Sequence, residues 1–279
     1  EYLLGAGGRT EREGAGRQVG WNASGSFSDT TALDTRRSHY GTEAHPPAYD
    51  WCSAKAKWIH ASGKPFVQWM PESIGSWGHF SLTTPATLKA MGAIAMANGG
   101  TIGINHVAPP CGDYAGRVFP GVYTVLAEVM AWMQEREALC AAPRTVPVVA
   151  VLHSAENTRS DRTCAMARSH AGASLGDRAL GPQNTVTASR LLDEIHAVHD
   201  VLHGEASLQG PGGRRLEEYE ALLLPNVGFL EETAAERIRS YVRGGGALLA
   251  TYNTSLLDRR GEELGDFSLG DVLGVRFRG

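Results

Sequence analysis

Hydrophobic and polar positions change period along this chain, and the changes mark its elements. From residue 147 onward, short apolar runs alternate with amphipathic stretches. "PVVAVLHS" (147–154) is a continuous valine-rich run, as a buried parallel strand presents. "VTASRLLDEIHAVHD" (186–200) spaces Ala188, Leu191, Leu192, Ile195 and Val198 as a helix would, and "HDVLHG" (199–204) reads as the next strand. "YEALLLPN" (219–226) is a third strand. "LEETAAERIRSYVRGGG" (230–246) predicts a helix: Glu231 and Glu232 open it, Ala234, Ile238, Tyr241 and Val242 share a face, Arg239 and Arg243 lie near its end, and Gly244 supplies a left-handed cap. "ALLATYN" (247–253) is a fourth strand, running into the polar stretch Thr251 to Ser255. Strand–helix alternation with short connections predicts a parallel sheet with helices on both faces. Ligands of such sheets bind beyond the strand C-termini, where residues 251–255 would stand, although capping and turn hydrogen bonds are the commoner use of these residue types.

The first half repeats the order strand, loop, helix with longer loops. "RQVGWNAS" (17–24) and "SHYGTEAHP" (38–46) predict short strands, and "YDWCSAKAKWIHASG" (49–63) a helix closed by Gly63. "KPFVQWMPESIGSWGHF" (64–80) is strand then long loop, and "TPATLKAMGAIAMANGG" (84–100) a helix with Leu88, Met91 and Ala95 on one face. "TIGINHVAPPCGDY" (101–114) is again strand then loop, and residues 120–140 predict a long helix through Val122, Val125, Leu126, Val129 and Met133. Each strand runs into polar or aromatic residues, as in a (β/α)8 barrel, whose C-terminal loops form the active-site face. The units are too few to close a barrel, and the chain opens on Glu1 rather than Met, so it is expected to be an N-terminally truncated one. Pro143 and Pro147 mark the seam between a domain at 1–142 and a domain at 143–279.

Composition narrows the functions available. The 279 residues are 42% hydrophobic and 20% charged, with a formal net charge of −4, which is ordinary for a soluble globular protein. Lys and Arg are scattered, so nucleic acid is not an expected partner. No apolar run approaches the roughly 20 residues of a membrane helix, and no signal peptide is visible. Cys52, Cys111, Cys140 and Cys164 are far apart without a CxxC pair, which excludes zinc spacing and points to a reducing, cytoplasmic setting. No cofactor motif stands out.

The stretch from Tyr219 to Phe277 resembles the trimerisation domain of glycoside hydrolase family 42 β-galactosidases and their bacterial relatives. The resemblance lies in Leu224-Pro225-Asn226 at a strand end, an acidic helix start, Val242 with Gly244 to Gly246, Thr251-Tyr252 after the next strand, and a closing segment from Leu269 to Val275. It implies a flavodoxin-like, class I amidotransferase-like fold for 143–279, a homo-oligomer, expected to be a trimer, and the C-terminal portion of a TIM-barrel glycoside hydrolase domain for 1–142. Amidotransferase chemistry needs a thiol at the turn after the third strand; this chain has Asn226-Val227-Gly228 there and no cysteine nearby, which excludes that activity.

Glycoside hydrolysis needs two carboxyl groups flanking the scissile bond. At the predicted strand ends these are Glu43, after "HYGT", and Glu72, after "FVQWMP"; they are the catalytic candidates for a carbohydrate substrate. Trp69 and Trp77 bracket Glu72, and an indole face both stacks on sugar rings and raises a neighbouring carboxyl pKa. His79, Asn105 and His106 are further substrate-binding candidates at the same edge. The position ahead of Trp77 where a family 42 enzyme carries its nucleophile glutamate is Trp69 here, so Glu72 would have to take that role on a differently built loop. No metal set is expected: His106 and Asp113 lack a third ligand. The alternative on the same scaffold is a non-catalytic oligomerisation or carbohydrate-binding protein.

Overall fold

A computed structural model describes residues 31–34, 49–61, 66–71, 82–105, 117, 120–141, 143–154, 180–202 and 208–278. They fall into two compact units: residues through 56 and from 66 to 143 make one, and 57–61 with 144–278 make the other. No described helix is long and apolar enough to cross a membrane.

The first unit holds a parallel three-stranded sheet, β1 (Thr31–Asp34), β2 (Phe66–Pro71) and β3 (Thr101–Asn105), in sequential order. Helix α1 (Tyr49–His60) follows β1, its last turn from Lys57 belonging to the second unit; α2 (Pro85–Ala97) follows β2, and α3 (Pro120–Gln134) follows β3, with a short α4 (Glu137–Cys140) after it. Consecutive parallel strands, each followed by a helix, are the repeating unit of a (β/α)8 barrel. Strand β1 lies between the two segments that the sequence pattern marked as strands; those segments, 17–24 and 38–46, are outside the described residues. Four residues, "TALD", are too short to show a period. Thr84 caps α2, its hydroxyl accepting from the Thr87 amide at 3.3 Å, and Pro85 occupies the first turn, where no amide partner is lost. Leu88, Met91 and Ala95 of α2 then pack with Ile102 and Ile104 of β3 and Val122, Leu126, Val129 and Met133 of α3.

The second unit is a parallel four-stranded sheet of β4 (Val149–Leu152), β5 (His199–Leu202), β6 (Ala221–Leu224) and β7 (Ala247–Ala250), in the order β5-β4-β6-β7. Renumbered within the unit this is 2-1-3-4, the flavodoxin-like order. Alternation places residues of opposite parity on opposite faces. On the even face Ala150, Leu152, Leu202, Leu222 and Leu224 pack under Ala234, Ala235, Ile238 and Tyr241 of α6 (Glu232–Arg243). On the odd face α5 (Leu180–Glu194) lies over β4 and β5. The register row Val201–Val151–Leu223–Leu249 records this: the first two are fully buried, Leu223 is half-buried, and Leu249 is 60% exposed.

Two local expectations are corrected. Helix α5 ends at Glu194 rather than near residue 200, because His196 turns left-handed at φ 57. Its buried positions are Thr185, Val186, Ala188 and Ser189, whereas Leu191, Ile195 and Val198 are exposed. At the end of α6, Gly244 stays right-handed and Gly245 takes the positive φ of 100°. Gly246 is needed for another reason: a Cβ there would overlap the Tyr241 ring. Arg239 fastens α6 to the closing helix α7 (Gly270–Leu273), its Nε donating to Asp271 Oδ2 at 3.1 Å and its Nη1 to Glu236 at 2.6 Å.

Candidate active site

In the first unit the parallel ladder aligns the strand C-termini. Pro71, the residue before Glu72, is the register partner of Asn105, the residue before His106. Two residue pairs back, Trp69 stands level with Asp34 at the end of β1 and with Gly103 in β3. The backbone therefore brings the ends of β1, β2 and β3 to one edge of the sheet, the edge that carries function in barrels. Trp69 and Asn105 are on that edge, while Glu43, Glu72, Trp77, His79 and His106 lie outside the described residues. Asp34 is a strand-end carboxylate that the sequence pattern passed over, and only its pairing with Trp69 marks it.

At the corresponding edge of the second unit, the described loops after β6 and β7 hydrogen-bond to each other. Asn226 follows β6 with φ 55, at the sharp turn where an amidotransferase would need its thiol. Its amide donates to Thr251 Oγ1 at 3.0 Å, and the Val227 amide donates to Thr254 Oγ1 at 3.1 Å. The Thr254 hydroxyl donates to the Thr251 carbonyl at 2.7 Å, with the Leu224 carbonyl at 3.1 Å. The Ser255 amide donates to the Val227 carbonyl at 2.8 Å, and Ser255 Oγ accepts from the Leu269 amide at 3.2 Å. Residues 251–255 thus pin the β6 and β7 loops to each other and to the closing segment. Tyr252 is the member left outward, 86% exposed and left-handed at φ 54.

Two titratable groups, His199 and Asp200, are buried at the opposite edge, where β5 begins. Asp200, 1% exposed, accepts from the Tyr219 hydroxyl at 2.8 Å and from Thr145 Oγ1 at 2.9 Å. Burial, followed by the charge of Asp200, drives the Tyr219 phenol well above its ordinary pKa, so it remains a donor. A Cβ on Gly210 would strike that hydroxyl, which explains the glycine. His199, also 1% exposed, places Nε2 2.6 Å from Ser189 Oγ and 3.1 Å from Lys57 Nζ. Burial first, and then the Lys57 charge, hold His199 below the usual histidine pKa; burial does the same to His60. Among the described residues no group of three His, Cys, Asp or Glu could hold a metal ion.

No known family model matches the chain. Solved structures do match its fold. A β-galactosidase from Bacillus circulans sp. alkalophilus superposes with a TM-score of 0.64 at 17% identity over 88% of this chain and 36% of that one. A GH42 β-galactosidase from G. stearothermophilus gives 0.59 at 16% identity over 85% and 34%. The α-L-fucosidase isoenzyme 2 from Paenibacillus thiaminolyticus gives 0.56 at 20% identity over 75% and 28%. The chain thus spans about a third of the length of the proteins it matches. The fold of parallel strands and helices is similar to that of these enzymes, which are named for galactosides and for a fucoside.

Proposed function

We propose that this chain is part of a bacterial glycoside hydrolase-like protein that cleaves O-glycosidic bonds, β-galactosidase-like, by a two-carboxylate mechanism. Residues 1–142 are read as the C-terminal portion of the catalytic barrel and 143–279 as a flavodoxin-like domain that contributes to a homo-trimer. The observation that supports the reading is the register pairing of Pro71 with Asn105, the described residues that precede Glu72 and His106, at one edge of a parallel sheet. Glu72 is proposed as nucleophile or base, with Glu43 as the candidate partner acid. Trp69 and Trp77 would stack on the sugar, and His79, Asn105 and His106 would bind its hydroxyls. The second unit is assigned no chemistry, because its polar loop is consumed by backbone amides and its turn carries Asn226 in place of a thiol.

The test is hydrolysis of nitrophenyl glycosides by the full-length protein, comparing wild type with Glu72→Gln and Glu43→Gln. Loss of kcat by about 10²-fold or more in either variant, with KM little changed, is the expected result for acid–base or nucleophilic groups. Full activity in both variants sinks the assignment, and inactive wild type that still binds sugars favours the carbohydrate-binding alternative. Light scattering at micromolar concentration tests the trimer; a monomer refutes it.

A further inference from the structure

The buried cluster around His199 has a hydrogen-bond order that only a neutral ring satisfies. Nδ1 lies 3.0 Å from the Ala197 carbonyl, which accepts only, so Nδ1 carries the proton. Nε2 then offers a lone pair, and two donors share it: the Ser189 hydroxyl at 2.6 Å and the Lys57 ammonium at 3.1 Å. Lys57 gives a second hydrogen to Asp193 Oδ1 at 2.9 Å, and that carboxylate also stands 3.8 Å from His199 Nδ1. Asp200, next in β5, is already engaged by Tyr219 and Thr145. His60, one turn beyond Lys57, completes the titratable groups facing this corner, with Nδ1 buried and without a partner among the described residues.

We propose that Lys57, Ser189 and His199 form an acid-sensitive latch, in which protonation of His199 expels Lys57 from the buried ring and loosens the last turn of α1 over β5. A proton on Nε2 turns that nitrogen from acceptor to donor. Ser189 can answer by rotating its hydroxyl to accept, but an ammonium has no lone pair, so Lys57 is left facing a like charge at van der Waals distance. Little water reaches a ring 1% exposed to screen that repulsion. The turn held by Lys57 includes Trp58, which is 8% exposed and stacks edge-on to His153 at 5.7 Å, and the Ala61 amide, which donates to the Lys57 carbonyl at 3.1 Å. Asp193 would keep its attraction for Lys57 after protonation, so release is local and does not require the sheet to open.

Amide hydrogen exchange of the whole chain between pH 7.5 and 5 tests the latch, read as protection factors so that intrinsic exchange is removed. Protection over residues 58–61 should fall about tenfold per pH unit below roughly pH 6.5, the unperturbed histidine pKa. Tyr241 and Val242 in α6, which open only with the whole unit, should stay more protected than residues 58–61 at every pH. His199→Gln, and Lys57→Met, which removes the expelled charge, should each lower that slope. Constant protection over residues 58–61 in wild type overturns the proposal, as does protection there equal to that of α6, which is global unfolding. An unchanged slope in His199→Gln moves the effect to His60 or to His153, which stacks on Trp58, and also overturns it. Should His199→Gln fail to fold, Lys57→Met decides: an unchanged slope refutes the latch.

Discussion

The two ends of the second sheet use polar residues in opposite ways. At the C-terminal end, where open α/β sheets bind ligands, Thr251, Thr254 and Ser255 serve the backbone of neighbouring loops, and the residues are neutral. At the N-terminal end, where little chemistry is expected, Asp200, His199 and Lys57 bring charge into the interior and satisfy it with side chains from distant segments. Position in a fold therefore does not assign a role to a polar side chain; its hydrogen-bond partners do. A hydroxyl whose lone pairs are taken by amides is structural wherever it stands. A buried base whose acceptor is shared with an ammonium is a point where pH can act.

The sharpest way to break this contrast is to remove a partner at the charged end. Tyr219→Phe leaves Asp200 buried with a single hydroxyl donor, and urea unfolding should show a loss of roughly 3 kcal/mol, as for a broken buried polar pair. A loss below about 0.5 kcal/mol would mean that Asp200 finds water. At the neutral end, Thr254→Val keeps the shape but orphans the Val227 amide, and a loss of about 2 kcal/mol is expected by the same measurement.

Acid should also weaken the charged end. His199 and His60 have lowered folded-state pKa values, chiefly from burial, so the unfolded chain binds protons that the folded chain refuses. Stability then rises with pH in that window: it is full above about pH 6.5 and declines below it, by at most about 1.4 kcal/mol per pH unit for each proton. Equilibrium unfolding at pH 7.5 and pH 5.5 reads this, and greater stability at the lower pH would contradict it. The smallest effect belongs to Tyr252, whose ring is in solvent and whose φ of 54° suits glycine. Tyr252→Gly should leave thermal stability within about 1 kcal/mol of wild type, and a large loss would reveal a packing role at this exposed position.

Much of the fold is legible in the sequence because it is periodic. Valine- and leucine-rich runs at 149–152 and 221–224 announce strands, and the apolar face Ala234, Ile238, Tyr241 announces α6. The pattern misled at α5, where apolar residues continue at helical spacing past the helix end. Leu191, Ile195 and Val198 look like a buried face, yet the chain turns at His196 and the buried residues are the smaller Thr185, Ala188 and Ser189. Periodicity reports which residues could share a face, and the turn that ends the helix decides which face is used.

What the sequence determined by itself is the order of elements, the absence of a thiol at the Asn226 turn, and the carboxylate and tryptophan candidates after the barrel-like strands. Those follow from local composition and spacing. Only the tertiary structure decided that β4 lies between β5 and β6, that Pro71 stands beside Asn105, and that the Thr251–Ser255 stretch serves neighbouring amides. Only it decided that His199 meets Lys57 across 142 positions of chain. Hydrogen-bond partners at such separations leave no period in the sequence, because their geometry is set by packing around them rather than by the residues beside them.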